Sequence, residues 1–390
     1  MNRAERSYLD WNATAPARPE VVDAVARALA LANPSSIHAE GRAARAAIER
    51  AREQVARLVG ASSAMVVFTS GGSEANAFAL TPSLTLDDGR PTTRLLASVT
   101  EHACVREGHR FAAEQVEALP VTADGLVNLD ALRAALAAGG EGRALVSIHM
   151  ANNETGVIQP IAEIGLICRQ ADALLHVDAV QAAGKITIDM STLGVDALTL
   201  SAHKLGGPKG VGAVVFGSGR ITVSDRLIRG GGQEKGARAG TENVPGIVGF
   251  GVASELACAQ IEAEAERQGR LRDGLEAALG AMAPDTVVFG AAAPRLANTS
   301  CFATPQVRAD NALILLDLAG VSVSSGSACS SGKVRQSHVL AAMGVEPELA
   351  AGAIRVSLGL GTAEVDIERF LAAYARVLAA ASQKRAQAAA

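Results

Sequence analysis

The sequence has little cysteine, no long apolar run and no excess of positive charge. Its five cysteines are odd in number and share neither a CxxC spacing nor a nearby histidine cluster, which indicates neither a disulfide framework nor a zinc site. No run of about 18 apolar residues occurs, and the N-terminus lacks an apolar signal core. A net charge of −4 argues against a nucleic-acid-binding protein. We therefore expect a cytoplasmic protein in a reducing compartment, with no membrane, nucleic-acid or metal partner.

Length and apolar patterning indicate an α/β protein with two domains. The 390 residues exceed the roughly 100 to 200 of a typical domain. Apolar residues recur three or four apart over residues 43–59, which predicts an amphipathic helix. Short runs rich in Val, Ile and Leu, most of them separated by helix-like stretches, predict a mostly parallel sheet covered on both faces. These runs occupy residues 64–68, 95–99, 144–148, 174–177, 197–200 and 211–216.

Polar residues of reactive types follow five of these predicted strands. In open α/β sheets the ligand lies outside the carboxyl ends of the strands, so we expect the five groups to converge on one site. The groups are Ser70 to Glu74, Glu101 with His102, Asn152 to Glu154, Asp178 with Gln181, and His203 with Lys204.

The chain after residue 250 indicates a smaller α+β domain. A long charged helix is predicted over about 252–280, followed by β-like pieces at 286–289, 299–303 and 354–358. We place the large domain at residues 14–250, and the small one at residues 1–13 together with 251–390. The serine- and glycine-rich stretch 324–332 has no apolar periodicity. It predicts a mobile loop, at about 322–336, that carries Cys329.

Lys204 and Asp178 are candidates for pyridoxal phosphate chemistry. Lys204 lies at a strand end before a glycine-rich turn, where burial disfavours the ammonium form and frees a nucleophilic amine. Pyridoxal phosphate enzymes need such a lysine for a Schiff base, and a carboxylate that keeps the pyridine nitrogen protonated. An ordinary loop lysine and a helix N-cap aspartate are the alternatives for the two residues.

Three further elements fit the same chemistry. The turn from Ser70 to Glu74 offers glycines, hydroxyls and backbone N–H groups to a phosphate. His102 could stack on a planar cofactor or move protons, and Arg355, within an apolar strand, suits a carboxylate. The alternatives are an ordinary turn, a structural histidine and a solvated strand face.

Five motifs occur in a specific order and spacing: Asn33 to His38, Asn152 to Gly156, Ser201 to Lys204, Arg238 to Asn243 and Ser325 to Cys329. With them the chain, from Tyr8 to Gly359, resembles the cysteine desulfurases of iron–sulfur cluster assembly and nitrogenase maturation. These belong to aminotransferase class V among the fold-type I pyridoxal phosphate enzymes. The resemblance implies a large domain with a mostly parallel seven-stranded sheet between helices, a smaller α+β domain, a homodimer and a scaffold protein that accepts the sulfur.

The resemblance also assigns roles to individual residues. It implies that Lys204 carries pyridoxal 5'-phosphate, that Asp178 pairs with the ring nitrogen, that Gln181 contacts the ring oxygen and that His102 stacks on the ring. The residues expected to hold the phosphate are Gly72, Ser73, Ser201 and His203, together with Thr241 of the partner subunit. The residues expected to hold the substrate carboxylate are Asn153, which also contacts the cofactor, Arg355 and Asn12. The first group of the family often has Ala-Thr where this chain has Gly72 and Ser73, and the serine keeps the hydroxyl.

The reaction implied by the resemblance converts L-cysteine to L-alanine. The amine of Lys204 moves the α-proton, and the thiolate of Cys329 attacks the substrate sulfur, which leaves a persulfide on the enzyme. The thiol needs a proton acceptor, for which His102 and the substrate's own groups are both candidates. A selenocysteine lyase or another class V aminotransferase is the alternative within the same fold. A non-catalytic sulfur scaffold is the alternative from a different class.

Overall fold

The computed structural model describes residues 6–326 and 336–389. Within these ranges the chain forms the following strands: β1 Ser7–Tyr8, β2 Val66–Thr69, β3 Leu84–Thr85, β4 Thr92–Ser98, β5 Val116–Leu119, β6 Arg143–His149, β7 Leu174–Asp178, β8 Ala197–Ser201, β9 Gly212–Phe216, β10 Thr222–Val223, β11 Val287–Val288, β12 Thr299–Ala303, β13 Val321–Ser322, β14 Ser324–Ser325 and β15 Ile354–Ser357. The helices of the same ranges are α1 Pro19–Ala28, α2 Ala39–Leu58, α3 Gly72–Ala79, α4 Ala103–Arg106, α5 Leu129–Ala137, α6 Ile161–Gln170, α7 Met190–Leu193, α8 Val244–Cys258, α9 Ile261–Met282, α10 Ala309–Leu318, α11 His338–Ala342, α12 Pro347–Ala350 and α13 Glu364–Ala389.

The largest sheet has seven strands in the order β2-β9-β8-β7-β6-β4-β5. Strands β5, β4, β6, β7 and β8 run parallel to one another, whereas β9 is antiparallel to both β8 and β2. Every residue of β6, β7 and β8 is buried, as expected for strands covered on both faces. The predicted mostly parallel sheet is confirmed. The apolar runs missed β5 because Leu119 is its one buried residue.

The helix predicted over residues 43–59 is α2, and it packs on α8 beside the large sheet. Its buried positions recur three or four apart, as predicted: Ala44, Ala47, Ile48, Ala51 and Val55. The helix begins earlier than predicted, at Ala39, because the His38 side chain accepts a hydrogen bond from the backbone N–H of Gly41 and caps the first turn.

A second sheet has four strands in the order β11-β12-β15-β14, all paired antiparallel. Its hydrophobic core is separate from that of the large sheet and includes Phe302, Phe370 and Tyr374, whose rings contact one another. The N-terminal strand β1 pairs with β13, so the first described residues lie on this part of the molecule.

Two predictions for the second half of the chain were wrong. The helix expected over about 252–280 is two helices, α8 and α9, which meet at an angle of 70°. The bend keeps α8 in the core of the large sheet, through Phe250 and Ala257, while α9 packs in the second core through Leu275. The serines of β14 were expected in a loop, but they form a strand by pairing with β15. This long-range pairing outweighs the loop preference of the serine-rich sequence.

Among the helices of the described residues, none is by itself long and apolar enough to cross a membrane; α8 and α9 would be so only if taken together, and they are bent by 70°.

Candidate active site

A cavity of about 420 Å³ lies at the carboxyl ends of β6, β7 and β8. Among the predicted site residues, those lining it are Asn12, Gly72, Ser73, His102, Asn153, Asp178, Gln181, Ser201, His203, Lys204 and Arg355. Most of them follow strands of the large sheet. Asn12 comes from the segment after β1 and Arg355 from β15, so the second sheet forms part of the wall as well.

Lys204 ends a short 3-10 turn that follows β8. Its Nζ donates hydrogen bonds to the backbone carbonyl oxygens of Asn12, at 2.6 Å, and Ala13, at 2.9 Å. Burial, helped by the positive charge of Arg355, lowers the pKa of this amine to about 8. Near neutral pH, Lys204 is therefore in its neutral, nucleophilic form far more often than an ordinary lysine is.

Asp178 is the last residue of β7, and its carboxylate is held in a fixed orientation. Its Oδ2 accepts a hydrogen bond from Nδ2 of Asn76 at 2.8 Å, and its Oδ1 accepts one from the backbone N–H of Val180 at 2.9 Å. The hydroxyl of Thr199 donates in turn to Oδ1 of Asn76 at 2.7 Å. Sequence reasoning missed Asn76. The available signal was its place on α3, three residues after Ser73 and on the same side of the helix.

His102 precedes α4 and caps it. Its Nδ1 accepts a hydrogen bond from the backbone N–H of Cys104 at 3.1 Å, and the Cys104 thiol lies 3.0 Å from the same nitrogen. Because a backbone N–H only donates, a neutral His102 ring carries its proton on Nε2. Burial, with the charge of Asp178, raises the pKa of the Cys104 thiol to about 12, so this thiol stays protonated.

One end of the cavity combines a helix start with the residues around the end of β8. Gly72 begins α3, and a Cβ atom there would lie 3.1 Å from Cγ2 of Val180, so glycine suits this close approach. Nδ1 of His203 lies 3.1 Å from the hydroxyl of Thr14. Burial and the neighbouring lysines lower the pKa of His203 to about 4, so its ring is neutral. Hydroxyls, backbone N–H groups and a neutral imidazole thus surround this end.

Arg355 is 4% exposed, which excludes the alternative of a solvated strand face. Its Nη1 donates to the carbonyl oxygen of Asn153 at 2.9 Å, and its Nη2 donates to Oδ1 of Asp10 at 2.7 Å. Ser324 fixes Asp10 by donating to its other oxygen at 2.8 Å. The Nε atom of Arg355 is buried and has no hydrogen-bond partner in the described part of the chain. The guanidinium has five N–H groups and uses two of them in these bonds, so others remain for a carboxylate in the cavity that Arg355 lines.

Sequence reasoning also missed His149, the last residue of β6, which lines the cavity. Its Nδ1 lies 3.5 Å from Oε1 of Glu101, and both side chains are buried. Burial raises the pKa of Glu101, while the attraction of His149 acts in the opposite direction. His149 and Asp178 are register partners on adjacent strands, so His149 lies on the Asp178 side of the cavity, with Glu101 buried beside it.

Among the described residues, one predicted site residue does not line this cavity. Thr241 lines a separate cavity of about 290 Å³ together with Ser70 and Arg238. Cys329 lies outside the described residues, and its role stays a prediction.

The α/β architecture, with helices flanking the seven-stranded sheet, is that of the fold-type I pyridoxal phosphate enzymes. The family model of aminotransferase class V matches residues 7–370, and the chain belongs to this family. The chain is 42% identical over 376 residues to the cysteine desulfurase IscS of Dictyoglomus turgidum. The matched region covers 95% of this chain and 94% of the relative.

Solved structures agree with this assignment. A NifS-like protein from Rickettsia africae has a TM-score of 0.86 and 37% identity, over 96% of this chain and 99% of that one. SspA in complex with cysteine has a TM-score of 0.76 and 31% identity, over 90% of this chain and 98% of that one. Members of the family depend in general on pyridoxal phosphate.

Proposed function

We propose that this chain is a pyridoxal phosphate-dependent cysteine desulfurase that supplies sulfur for iron–sulfur cluster assembly. The observation that carries the proposal is the presence of Lys204, Asp178 and Arg355 in one cavity. A scaffold that only binds partners needs none of these three residues. The similarity to proteins named cysteine desulfurase over nearly the whole chain supports the same activity.

The cavity residues fit pyridoxal 5'-phosphate. Lys204 offers a neutral amine, Asp178 an oriented carboxylate for the ring nitrogen, and the glycine at position 72 leaves room beside Val180 and Ser201. The other residues that would hold the group are Ser73, His102, Asn153, Gln181, Ser201 and His203, with Thr241 of the partner subunit in the homodimer. When bound, the cofactor withdraws electrons from Cα of the substrate amino acid.

Arg355 and Asn153 would bind and orient the carboxylate of L-cysteine, and the position of both residues in the cavity lining supports this. The amine of Lys204 would remove the α-proton, since its pKa of about 8 allows it to accept and return a proton near neutral pH. The tautomer of His102 makes its Nε2 a hydrogen-bond donor. A neutral His102 therefore donates a hydrogen bond to the cavity, and another group accepts the proton of the attacking thiol.

Cys329 would form the S–S bond. Its sulfur bonds to the substrate sulfur, the Cβ–S bond of the substrate breaks, and Cβ takes a proton. L-Cysteine and the Cys329 thiol thus become L-alanine and a Cys329 persulfide. Support comes from the described residues on either side of the stretch 327–335. Ser337 donates a hydrogen bond to Glu154, and a Cβ on Gly326 would lie 3.2 Å from the same carboxylate. Glu154 directly follows Asn153, which lines the cavity.

The assembly and location are part of the same proposal. We place the protein in the cytoplasm as a homodimer that passes sulfur to a scaffold protein. The position of Thr241 outside its own subunit's cavity supports a role in the partner's site. The two sheets and their separate cores support a large domain over 14–250 and a small one over 1–13 and 251–390.

The test measures L-alanine and sulfide formed from L-cysteine by the purified holoenzyme with a reductant, beside Cys329→Ala. We expect equimolar products from the parent, and none from the variant, which should still bind the cofactor. A parent that carries the cofactor on Lys204 but forms no alanine would contradict the proposal and favour transamination. Equal turnover by Cys329→Ala with L-selenocysteine, but none by either protein with L-cysteine, would favour a selenocysteine lyase.

A further inference from the structure

Lys185 lies behind the cavity wall, four residues after Gln181 in the turn that follows β7. It does not line the cavity described above, although its amine reaches two residues that do. Its Nζ donates hydrogen bonds to Oε1 of Gln181 and to Oδ1 of Asn12, each at 2.9 Å. The amine is therefore shared between the two side chains.

These contacts set the orientation of the Gln181 carboxamide. On one side the Lys185 amine donates to Oε1, and on the other Nε2 donates to the backbone carbonyl of Asn12 at 3.0 Å. That carbonyl can only accept, so a rotated carboxamide would place two acceptors against each other. Nε2 carries two hydrogens and uses one on Asn12. The second N–H remains for the cavity, which Gln181 lines.

The same amine stabilises the position of Asn12. Oδ1 of Asn12 also accepts from Nδ2 of Asn298, at 3.0 Å, and the Asn12 backbone carbonyl accepts from Lys204. Asn12 therefore connects the two amines, since it accepts hydrogen bonds from both Lys185 and Lys204. Burial, with the charges of Lys204 and Arg355, lowers the pKa of Lys185 well below its usual range. A neutral amine still has two N–H groups, enough for both observed hydrogen bonds, and it adds no second positive charge beside Lys204.

We propose that Lys185 is a positioning residue of this site, which holds Gln181 and Asn12 so that the free N–H of Gln181 points at the ring oxygen of the bound cofactor. The inference rests on the proposed function, because that oxygen belongs to pyridoxal 5'-phosphate.

The test compares Lys185→Met, Gln181→Leu and the double variant as holoenzymes. Methionine keeps the length and apolar stem of lysine but donates no hydrogen bond. We expect Lys185→Met to bind pyridoxal 5'-phosphate about tenfold more weakly than the parent, because the loss of one hydrogen bond to the cofactor changes the dissociation constant by about this factor. Its pH-dependent change in cofactor absorbance should shift in the same direction as in Gln181→Leu. The double variant should shift no further than Gln181→Leu alone.

Arg270→Met is the control, since Arg270 is an exposed cation on α9 that donates to Glu266. An absorbance titration of Lys185→Met that coincides with those of the parent and this control overturns the positioning role. So does a double variant that shifts well beyond Gln181→Leu, because Lys185 would then act by another route. If Lys185→Met does not fold, the double variant leaves no unpaired carboxamide at position 181 and decides the question. A parent that binds no pyridoxal phosphate overturns the proposed function and this inference with it.

Discussion

The carboxylate of Glu154 accepts a 2.6 Å hydrogen bond from the hydroxyl of Ser337, although the two residues are 183 positions apart. Glu154 belongs to the turn after β6, and Ser337 caps the start of α11. Glu154 is 4% exposed, and burial raises its pKa to about 7, against the opposing effects of Ser337 and Arg355. The hydrogen bond therefore joins a titratable group of the large sheet to the helix that follows residues 327–335.

This relationship predicts a pH-dependent stability. In the unfolded chain a glutamate titrates near 4.5, so its folded-state pKa is raised. The contribution of Glu154 to stability is complete below about pH 4.5 and is lost as the pH rises through about 7. Glutamine can still accept from Ser337 but does not ionise. Relative to Glu154→Gln, the free energy of unfolding of the parent should fall by up to about 3 kcal/mol between pH 5 and pH 8.

Urea denaturation of both proteins at the two pH values measures this difference. Glu262→Gln, at an exposed position of α9, is the control and should follow the parent. A constant difference between the parent and Glu154→Gln across the range would show that Glu154 does not titrate there.

The lowered pKa of Lys204 predicts which lysine carries the cofactor and how the rate of attachment depends on pH. The fraction of neutral amine governs attack on an aldehyde, so the rate of attachment of pyridoxal 5'-phosphate should rise with pH and level off above about 8. An ordinary lysine would keep gaining rate to about pH 10. Borohydride reduction followed by peptide mass spectrometry should locate the pyridoxyl group on Lys204, and Lys204→Ala should carry none. A label on Lys185 or Lys209 would mean that the wrong lysine was assigned.

The buried pair of Arg52 and Glu234 predicts a large loss of stability on truncation. The guanidinium donates to both oxygens of Glu234, at 2.7 and 2.9 Å, and the backbone N–H of Phe68 donates to the same carboxylate. Glu234 itself has a left-handed backbone, with φ of 47°. Glu234→Ala removes the buried partner of Arg52 and leaves its charge only the partly exposed Glu49, which costs up to about 3 to 5 kcal/mol in the free energy of unfolding.

Chemical denaturation checks this value, with Asp87→Ala as the control. Asp87 accepts two hydrogen bonds from Arg220 in a similar geometry, but both side chains are exposed, so little change is expected. Equal effects of the two substitutions would contradict the importance given to burial. Because residues 233–236 precede Thr241, weaker cofactor retention should accompany the loss of stability in Glu234→Ala.

Local pattern was sufficient for much of the fold. Continuous apolar runs identified six of the seven strands of the large sheet, because strands buried on both faces leave this mark in the sequence. Local pattern failed to predict the structure where contacts with residues distant in the sequence decide it. The serines of β14 become a strand by pairing with β15, and the bend between α8 and α9 serves two separate cores.

The sequence by itself determined which chemical groups follow each strand: Asp178 after one apolar run and Lys204 after another, at an edge where strand ends meet. Tertiary structure alone decided what surrounds them. Lys204 donates to Asn12 across 192 positions, Arg355 pairs with Asp10 across 345, and Asn76 orients Asp178 across 102. Such contacts leave no periodic signal in the chain. They arise when two separately packed sheets enclose one cavity, and they set the pKa, tautomer and orientation of each group.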